Sequence, residues 1–194
     1  MSQPLDLEPA VRRMQAVVSG IADSQLADPT PCEGTSVGDL LDHVVALTLA
    51  FRHAAEKSAS PETGPPPEPT AANLPADWRE LLAYRLDALV AAWREPAAWE
   101  GTTVAGGVEL PAHEAGVVAV NELVVHGWDL ARATGQSYEC DPASAEASFA
   151  FASQVPDDPK ARKGLFGPVV DVADDAPLFD RALGFSGRDP SWRP

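Results

Sequence analysis

Apolar residues recur at helical spacing in five segments of the chain, and this periodicity constrains the fold more than any other feature. Turn and cap residues separate the segments, so each helix has a predictable start and end. We predict helices over about residues 7–26, 36–57, 76–95, 111–134 and 141–155. The first four are the most substantial. The sequence therefore predicts an all-α protein built on a four-helix bundle.

Individual residues mark several of these helix ends. Ser36 followed three residues later by Asp39 is typical of a capping box. Pro96 stops the third helix, and Gly135 suits the left-handed position that follows the fourth. Asp141, with a proline directly after it, has the pattern of a helix N-cap.

Three segments lie outside the main helices. Residues 58–75 contain six prolines, which block both helix and strand, so we expect a long, extended crossover linker. Residues 102–110 hold two β-prone runs around a Gly-Gly pair, which favours a short β-hairpin. Residues 156–194 are rich in Gly, Pro and Asp and predict an irregular C-terminal tail, with one short helix near 177–183.

Composition limits the kinds of partner. A chain of 194 residues with 45% hydrophobic content is expected to form a single domain over residues 1–194. The net charge of -15 argues against nucleic acid and anionic membranes, because neutralising phosphates requires clustered Lys and Arg. The N-terminus lacks a basic region leading into an apolar run, and no later segment is apolar enough to span a bilayer, so we expect a cytoplasmic protein.

Glu122 and His126 carry the clearest chemical signal. They lie four residues apart in an apolar helical stretch and therefore project from the same helix face. A carboxylate facing a core is costly unless it is paired or bound to a metal. His43, on another apolar helix, is a candidate third ligand for a divalent cation. A metal-free Glu-His hydrogen bond and a core histidine at position 43 are the alternatives.

Asp129 follows His126 by three residues and has two interpretations. It can accept the second imidazole N–H of His126 and orient the ring from behind. It can equally be a solvated charge or a partner of Arg132.

The remaining histidines and the cysteines give weaker signals. His53 and His113 are expected to face the surface or a loop. Cys32 is either a redox thiol or, as we expect, a small buried residue before the second helix. Cys140 is expected to be structural, and the unlike surroundings of the two cysteines predict reduced thiols and no disulfide.

Three stretches of sequence resemble one known family, the metal-binding domain of mycothiol-dependent maleylpyruvate isomerase, within the DinB/YfiT-like superfamily. Together they span nearly the whole chain. They are Thr30-Pro31-Cys32 continuing through Val37 and Asp39-Leu40-Leu41 to His43, Asn121-Glu122-Leu123-Val124-Val125-His126-Gly127-Trp128-Asp129-Leu130-Ala131, and Gly187-Arg188-Asp189-Pro190-Ser191-Trp192.

The resemblance implies a DinB-like four-helix bundle that holds one divalent cation, usually zinc and in some relatives nickel. The ligands it implies are His43, Glu122 and His126. It also implies a low-molecular-weight thiol, such as mycothiol or bacillithiol, as the bound nucleophile. Relatives often carry Trp where this chain has Thr35, a departure that affects packing before the second helix and leaves the ligands untouched.

We therefore expect a metal-dependent enzyme that acts through a metal-bound thiolate, as a mycothiol-type S-transferase or isomerase on a small-molecule substrate. Two other classes of function remain open. A metal-dependent hydrolase would use a metal-bound water and needs a general base, for which Asp129 and Asp39 are the candidates. A non-catalytic module that binds a metal or a small ligand, alone or as a homodimer, is the third.

Overall fold

The structure is a computed structural model and describes residues 5–58 and 68–194. Within these ranges the chain forms seven α-helices and one two-stranded antiparallel sheet. None of these helices is both long and apolar enough to cross a membrane. In chain order the elements are α1 Glu8–Ser19, α2 Val37–Glu56, α3 Trp78–Trp93, β1 Thr102–Ala105, β2 Val108–Pro111, α4 Ala112–Ala133, α5 Pro142–Ala152, α6 Pro159–Arg162 and α7 Leu178–Phe185.

Helices α1 to α4 form the predicted four-helix bundle. Both α1 and α2 pack against α3 and α4. Each helix contributes apolar side chains to the core between them, where full burial of one such side chain stabilises the fold by about 1.5–3 kcal/mol. Completely or almost completely buried examples are Met14, Leu40, Leu86 and Leu123. The all-α four-helix bundle expected from periodicity is confirmed, and so is the DinB-like fold that the resemblance implies.

The start of α2 shows why this helix begins where the sequence predicts. The Asp39 backbone N–H donates to the Ser36 hydroxyl at 3.2 Å, and the Ser36 backbone N–H donates to the Asp39 carboxylate at 3.1 Å. This reciprocal pair is the predicted capping box. At the other end the helix stops at Lys57, whose φ of 50° is left-handed.

Helix α1 is shorter than the periodicity predicts. It ends at Ser19 rather than near Leu26, and a separate 3-10 turn follows over Asp23–Gln25. The side chain of Gln136 lies directly beside Gly20 and donates to the Val17 carbonyl at 3.0 Å, in the last turn of the helix. Apolar spacing continues past the break, which is why the sequence pattern does not reveal it.

The proline-rich linker falls partly on residues 59–67, which lie outside the described residues. Its last part is not wholly extended as predicted, because Ala71–Asn73 form a 3-10 turn. Two carboxylates of α2 hold this turn: the Thr70 N–H donates to Asp42 at 3.0 Å, and the Ala71 N–H donates to Asp39 at 2.7 Å. The end of the linker is thereby fixed to the start of α2.

The predicted hairpin is present as β1 and β2, paired antiparallel from Thr102 opposite Pro111 to Ala105 opposite Val108. The two glycines between the strands have positive φ angles of 58° and 80°, as a tight two-residue hairpin turn requires. The Thr103 hydroxyl donates to the Ala54 carbonyl at 2.6 Å and ties the hairpin to α2.

The C-terminal region is more ordered than an irregular tail. Helix α5 packs on α4, and α7, which includes the short helix predicted near residues 177–183, packs on α5. The single helical turn α6 was not predicted. It forms because the Asp158 carboxylate accepts two backbone N–H groups at its start and Pro159 occupies its first position.

Candidate metal centre

Two neighbouring helices of the bundle bring His43, Glu122 and His126 together. His43 lies on α2, while Glu122 and His126 lie one turn apart on α4. The Nε2 atom of His43 is 3.4 Å from Oε2 of Glu122, and Nε2 of His126 is 3.0 Å from the same oxygen. One donor atom from each residue lies within 4.8 Å of the other two. The three residues selected from the sequence therefore converge on one small volume.

The separations between these atoms suit a metal ion. Ligands at about 2.0–2.1 Å from a tetrahedral zinc ion lie about 3.3–3.4 Å from one another. Two separations here, 3.0 Å and 3.4 Å, are close to that edge length. All three donor atoms lie within 4.8 Å of one another, so the three residues could hold one cation.

The three side chains differ in their exposure to solvent. The His43 side chain is 39% exposed, whereas those of Glu122 and His126 are 17% and 11% exposed. The two imidazole rings meet edge to face, with centroids 5.0 Å apart. Glu122 and His126 are thus largely enclosed, whereas His43 is partly open to solvent, as an external ligand of a catalytic metal requires.

Glu122 and His126 stabilise each other's charged forms. Burial tends to raise the pKa of Glu122, but hydrogen bonds with His126 and His43 outweigh burial and hold this pKa well below its ordinary value. Burial tends to lower the pKa of His126, but hydrogen bonds with Asp129 and Glu122 raise it to about 9. At neutral pH the metal-free site therefore holds a carboxylate and an imidazolium, and a cation would have to displace the imidazolium proton.

Asp129 contacts the other side of the His126 ring. Its Oδ2 lies 3.1 Å from Nδ1 of His126, the ring nitrogen not used by Glu122. The prediction of a solvated charge is wrong, because the Asp129 side chain is completely buried. The predicted pairing with Arg132 is also wrong: Arg132 donates instead to the carbonyl oxygen of Pro190 at 2.7 Å. The contact with the second imidazole nitrogen is the one present.

Arg188 completes this network and was not identified as a functional residue from the sequence. Its Nη2 donates to Oδ2 of Asp129 at 3.0 Å, and its Nε donates to Oδ1 at 3.4 Å. Although burial lowers the pKa of Arg188, the Asp129 carboxylate raises it above the ordinary arginine value. Two signals could have revealed it: Arg188 belongs to the C-terminal motif of the resemblance, and a buried Asp129 requires a cationic partner.

Asp39, a candidate general base for the hydrolase alternative, has a different task. Its carboxylate accepts hydrogen bonds from the Ser36 hydroxyl at 2.6 Å and from the Ala71 N–H at 2.7 Å. The hydrogen bond from Ser36 is the largest of the contacts that lower the pKa of Asp39. Both oxygens are therefore engaged in capping α2 and holding the linker, which makes Asp39 a poor base.

The weaker candidates lie apart from the three converging donors. His53 hydrogen-bonds Ser58 at the end of α2, and His113 is exposed at the start of α4. Cys32 and Cys140 are both free, as predicted, and both are half-buried. Burial raises the pKa of the Cys140 thiol to about 12, which keeps it protonated and unreactive.

The sequence model of the mycothiol maleylpyruvate isomerase N-terminal domain matches residues 7–131 of the chain. That range contains the four bundle helices nearly complete and all three converging side chains. The chain belongs to this family. Membership in the mycothiol maleylpyruvate isomerase N-terminal domain family confirms the resemblance noted from the sequence motifs.

The chain is also similar to individual proteins. Two uncharacterized proteins of Mycobacterium tuberculosis, from the CDC 1551 and H37Rv strains, are each 29% identical over 181 residues, which is 89% of this chain and 90% of theirs. Crystal structures of the mycothiol-dependent maleylpyruvate isomerase and of a histidine-to-alanine mutant of it are similar, with TM-scores of 0.61 and 0.62. Both are 20% identical and cover 78% of this chain and 70% of theirs, so the likeness shows a shared fold.

Proposed function

We propose that the chain binds one divalent cation through Nε2 of His43, the Glu122 carboxylate and Nε2 of His126. The observation that carries the proposal is the convergence of these donors from two helices within 4.8 Å. A second support is the burial of Glu122 between two imidazoles, since a carboxylate in a bundle core is costly without a positive partner. Bundle cores commonly hold metals between facing helices in this way.

Zinc is the cation that this donor set favours. Two imidazoles and one carboxylate are a frequent ligand set of catalytic zinc, in which the fourth position stays open. Nickel is the alternative, because imidazole also suits Ni²⁺ and geometry rather than affinity separates the two ions. We place the fourth position on the solvent-accessible side of the three donors, next to His43.

We further propose that the fourth position takes the sulfur of a low-molecular-weight thiol, mycothiol above all. The family and the two structural neighbours are named for mycothiol-dependent chemistry. A divalent cation with two neutral imidazoles and one carboxylate keeps one net positive charge, so it lowers the pKa of a coordinating thiol and holds it as a thiolate. The protein would then act as an S-transferase or isomerase on an electrophilic small molecule.

The residues around the centre have separate tasks in this proposal. Glu122 limits the positive charge of the centre, Asp129 orients His126 through Nδ1, and half-exposed His43 borders the entrance for thiol and substrate. We also propose that residues 1–194 act as one metal-binding domain, in which the linker 58–75 is an internal connection and the tail 156–194 packs on the bundle through α5.

Calorimetry on the full chain tests the thiol proposal. Zinc-loaded protein is titrated with mycothiol and, separately, with glutathione, and the metal-free protein is titrated in parallel. We expect mycothiol to bind only the zinc-loaded protein. Conversion of maleylpyruvate in the presence of mycothiol then tests the isomerase reaction for which the family is named.

The other outcomes select among the remaining functions. Zinc bound without any thiol affinity would contradict the S-transferase or isomerase proposal, leaving a hydrolase or a non-catalytic binding module. Thiol binding that does not depend on zinc would contradict the proposed place of the sulfur. His126→Ala should bind neither zinc nor thiol. His113→Ala, which changes an exposed histidine on the same helix, is its control and should bind both as the wild type does.

A further inference from the structure

Arg188 is a buried cation whose guanidinium group faces the centre from outside the four-helix bundle. It is 6% exposed and lies just after α7, beyond the residues 7–131 that match the family model. Its partner Asp129 is 59 positions away in the sequence and completely buried. A buried arginine requires a charged or polar partner, and here that partner contacts the His126 ring.

We propose that Arg188 is a positioning residue of the metal centre, which acts through Asp129 to hold the His126 ring with Nε2 directed at the cation. This inference rests on the proposed metal site. It adds a residue from the C-terminal region to a centre that is otherwise built from α2 and α4.

The geometry of three groups in series supports the proposal. Arg188 contacts both Asp129 oxygens, at 3.0 Å from Nη2 to Oδ2 and 3.4 Å from Nε to Oδ1. A fork of two N–H groups fixes the rotation of a carboxylate, which a single ammonium group cannot do. The same Oδ2 lies 3.1 Å from Nδ1 of His126. With Nδ1–H donating to Asp129, the Nε2 lone pair is free for a metal.

The backbone around Arg188 holds the guanidinium in place. The Arg188 N–H donates to the Leu183 carbonyl at 2.9 Å, and its Nη1 donates to the Ser186 carbonyl at 2.7 Å. Gly187 has a φ of 79°, and a Cβ there would lie 2.8 Å from backbone atoms of Gly167. This left-handed turn directly precedes Arg188, and only glycine fits it.

The balance of charge around His126 also supports a positioning role for Arg188. A buried Asp129 without a counter-charge would add a full negative charge behind His126. The Arg188 guanidinium cancels that charge, so the pair can orient the ring without changing the net charge of the centre. The cost of burying two ions is offset by the direct pairing and by the extra hydrogen bonds that each makes.

A double-mutant cycle on the full, metal-loaded chain tests the proposal. The variants are Arg188→Met, Asp129→Asn and their combination, and the readout is the zinc dissociation constant from competition with a chelator. Each single variant should bind zinc about 10- to 100-fold more weakly, the usual loss when an outer partner of a ligand is removed. The double variant should bind no more weakly than Asp129→Asn alone, because Arg188 acts only through that carboxylate.

Two further variants separate positioning from charge and from general packing. Arg188→Lys keeps the charge without the fork, so it should weaken zinc binding about threefold or more. It should also change the visible spectrum of the cobalt-loaded protein, which reports ligand geometry. Arg193→Lys, in the exposed end of the same segment, should change neither quantity.

Several outcomes overturn the inference. Losses that multiply in the double variant would show that Arg188 and Asp129 act independently. Zinc binding that is unchanged or tighter in folded Arg188→Lys would show that the fork positions nothing. If Arg188→Met fails to fold, the zinc affinity and cobalt spectrum of folded Arg188→Lys decide the question, because this variant keeps the buried charge and lacks only the fork. Full zinc occupancy in His126→Ala would instead refute the metal site itself.

Discussion

Buried polar groups on two sides of α4 are stabilised by different kinds of contact. On one side Glu122 and His126 form a charged network with His43 from α2. On the other, Asn121 accepts a hydrogen bond from the hydroxyl of Ser148 on α5 at 2.8 Å, a neutral contact between completely buried residues. Neighbouring residues 121 and 122 thus contact different helices: Asn121 forms a neutral hydrogen bond with α5, and Glu122 forms charged contacts with α2 and within α4.

The comparison separates a candidate functional site from a structural contact. A neutral hydrogen bond contributes about 1 kcal/mol to stability and joins two helices. A buried charged network is costly to assemble, and removing one partner leaves an uncompensated buried charge. The charged side should therefore control metal affinity and the neutral side should control only stability.

The largest expected effect comes from His126→Ala. Removing one of three protein donors from an open site leaves too few to hold zinc against water, so stoichiometric binding should be lost. Elemental analysis of purified protein, which should give about one zinc per wild-type chain, measures this. Zinc should also raise the unfolding temperature of the wild type and of His113→Ala, but leave that of His126→Ala unchanged. A normal zinc content in His126→Ala would end the metal assignment.

Glu122→Gln should have the next largest effect. Glutamine keeps the shape of the side chain and its ability to hydrogen-bond, but it lacks the negative charge that attracts the cation. We expect zinc affinity to fall by a factor of at least about ten, which corresponds to about 1.4 kcal/mol. Competition with a fluorescent chelator measures it, and Glu114→Gln, exposed on the same helix, is the matched control. Equal affinity in Glu122→Gln would make residue 122 only a hydrogen-bond partner of His126.

The convergence of the three candidate ligands and the bundle were accessible from the sequence for a physical reason. Helical periodicity is local, so the positions of Glu122 and His126 on one face follow from their spacing alone. His43 shares the apolar pattern of α2, and the buried faces of two bundle helices must meet. The capping box at Ser36 is also a local signal. That these residues bind a metal remains a prediction.

Features that depend on long-range packing could not be read in this way. Near the end of helix α1 the Gln136 side chain donates to the Val17 carbonyl at 3.0 Å, a contact across more than a hundred residues. The turn at Ala71–Asn73 forms because carboxylates of α2 accept its N–H groups. The pairing of Arg188 with Asp129 depends on how α7 and α5 pack on the bundle. Residues that are far apart in the sequence cannot be paired from their spacing alone.

The pH dependence of zinc binding is the third prediction. In the metal-free protein the pKa of His126 is about 9, against an ordinary 6.5, so a proton occupies the site at neutral pH. Zinc affinity should rise with pH, by at most about tenfold per unit, and level off above about pH 9. Calorimetry at pH 7.5 in buffers of different ionisation enthalpy should show about one proton released per zinc. Release of no proton would mean that His126 is neutral or does not bind the metal.

Folding of the metal-free protein should depend on pH with the opposite sign. A pKa raised on folding contributes stability that is complete below the unfolded value of about 6.5 and is lost as pH rises toward 9. Metal-free wild type should therefore lose stability over this interval, whereas metal-free His126→Ala should not. Chemical unfolding at pH 6.5 and pH 9 measures both.

The smallest expected effect tests the neutral side of α4 with Ser148→Ala. The change removes the hydroxyl that donates to Asn121 and leaves the amide oxygen of Asn121 buried without that donor. The cost should be about 1–3 kcal/mol of unfolding free energy, measured on the metal-free protein. Zinc affinity should stay within about twofold of wild type, because Asn121 points to α5 and not to the centre. Ser153→Ala, exposed at the end of α5, should change neither quantity. If Ser148→Ala instead weakened zinc binding as strongly as Glu122→Gln, the two sides of α4 would be one coupled network, and the division between a functional and a structural side would be wrong.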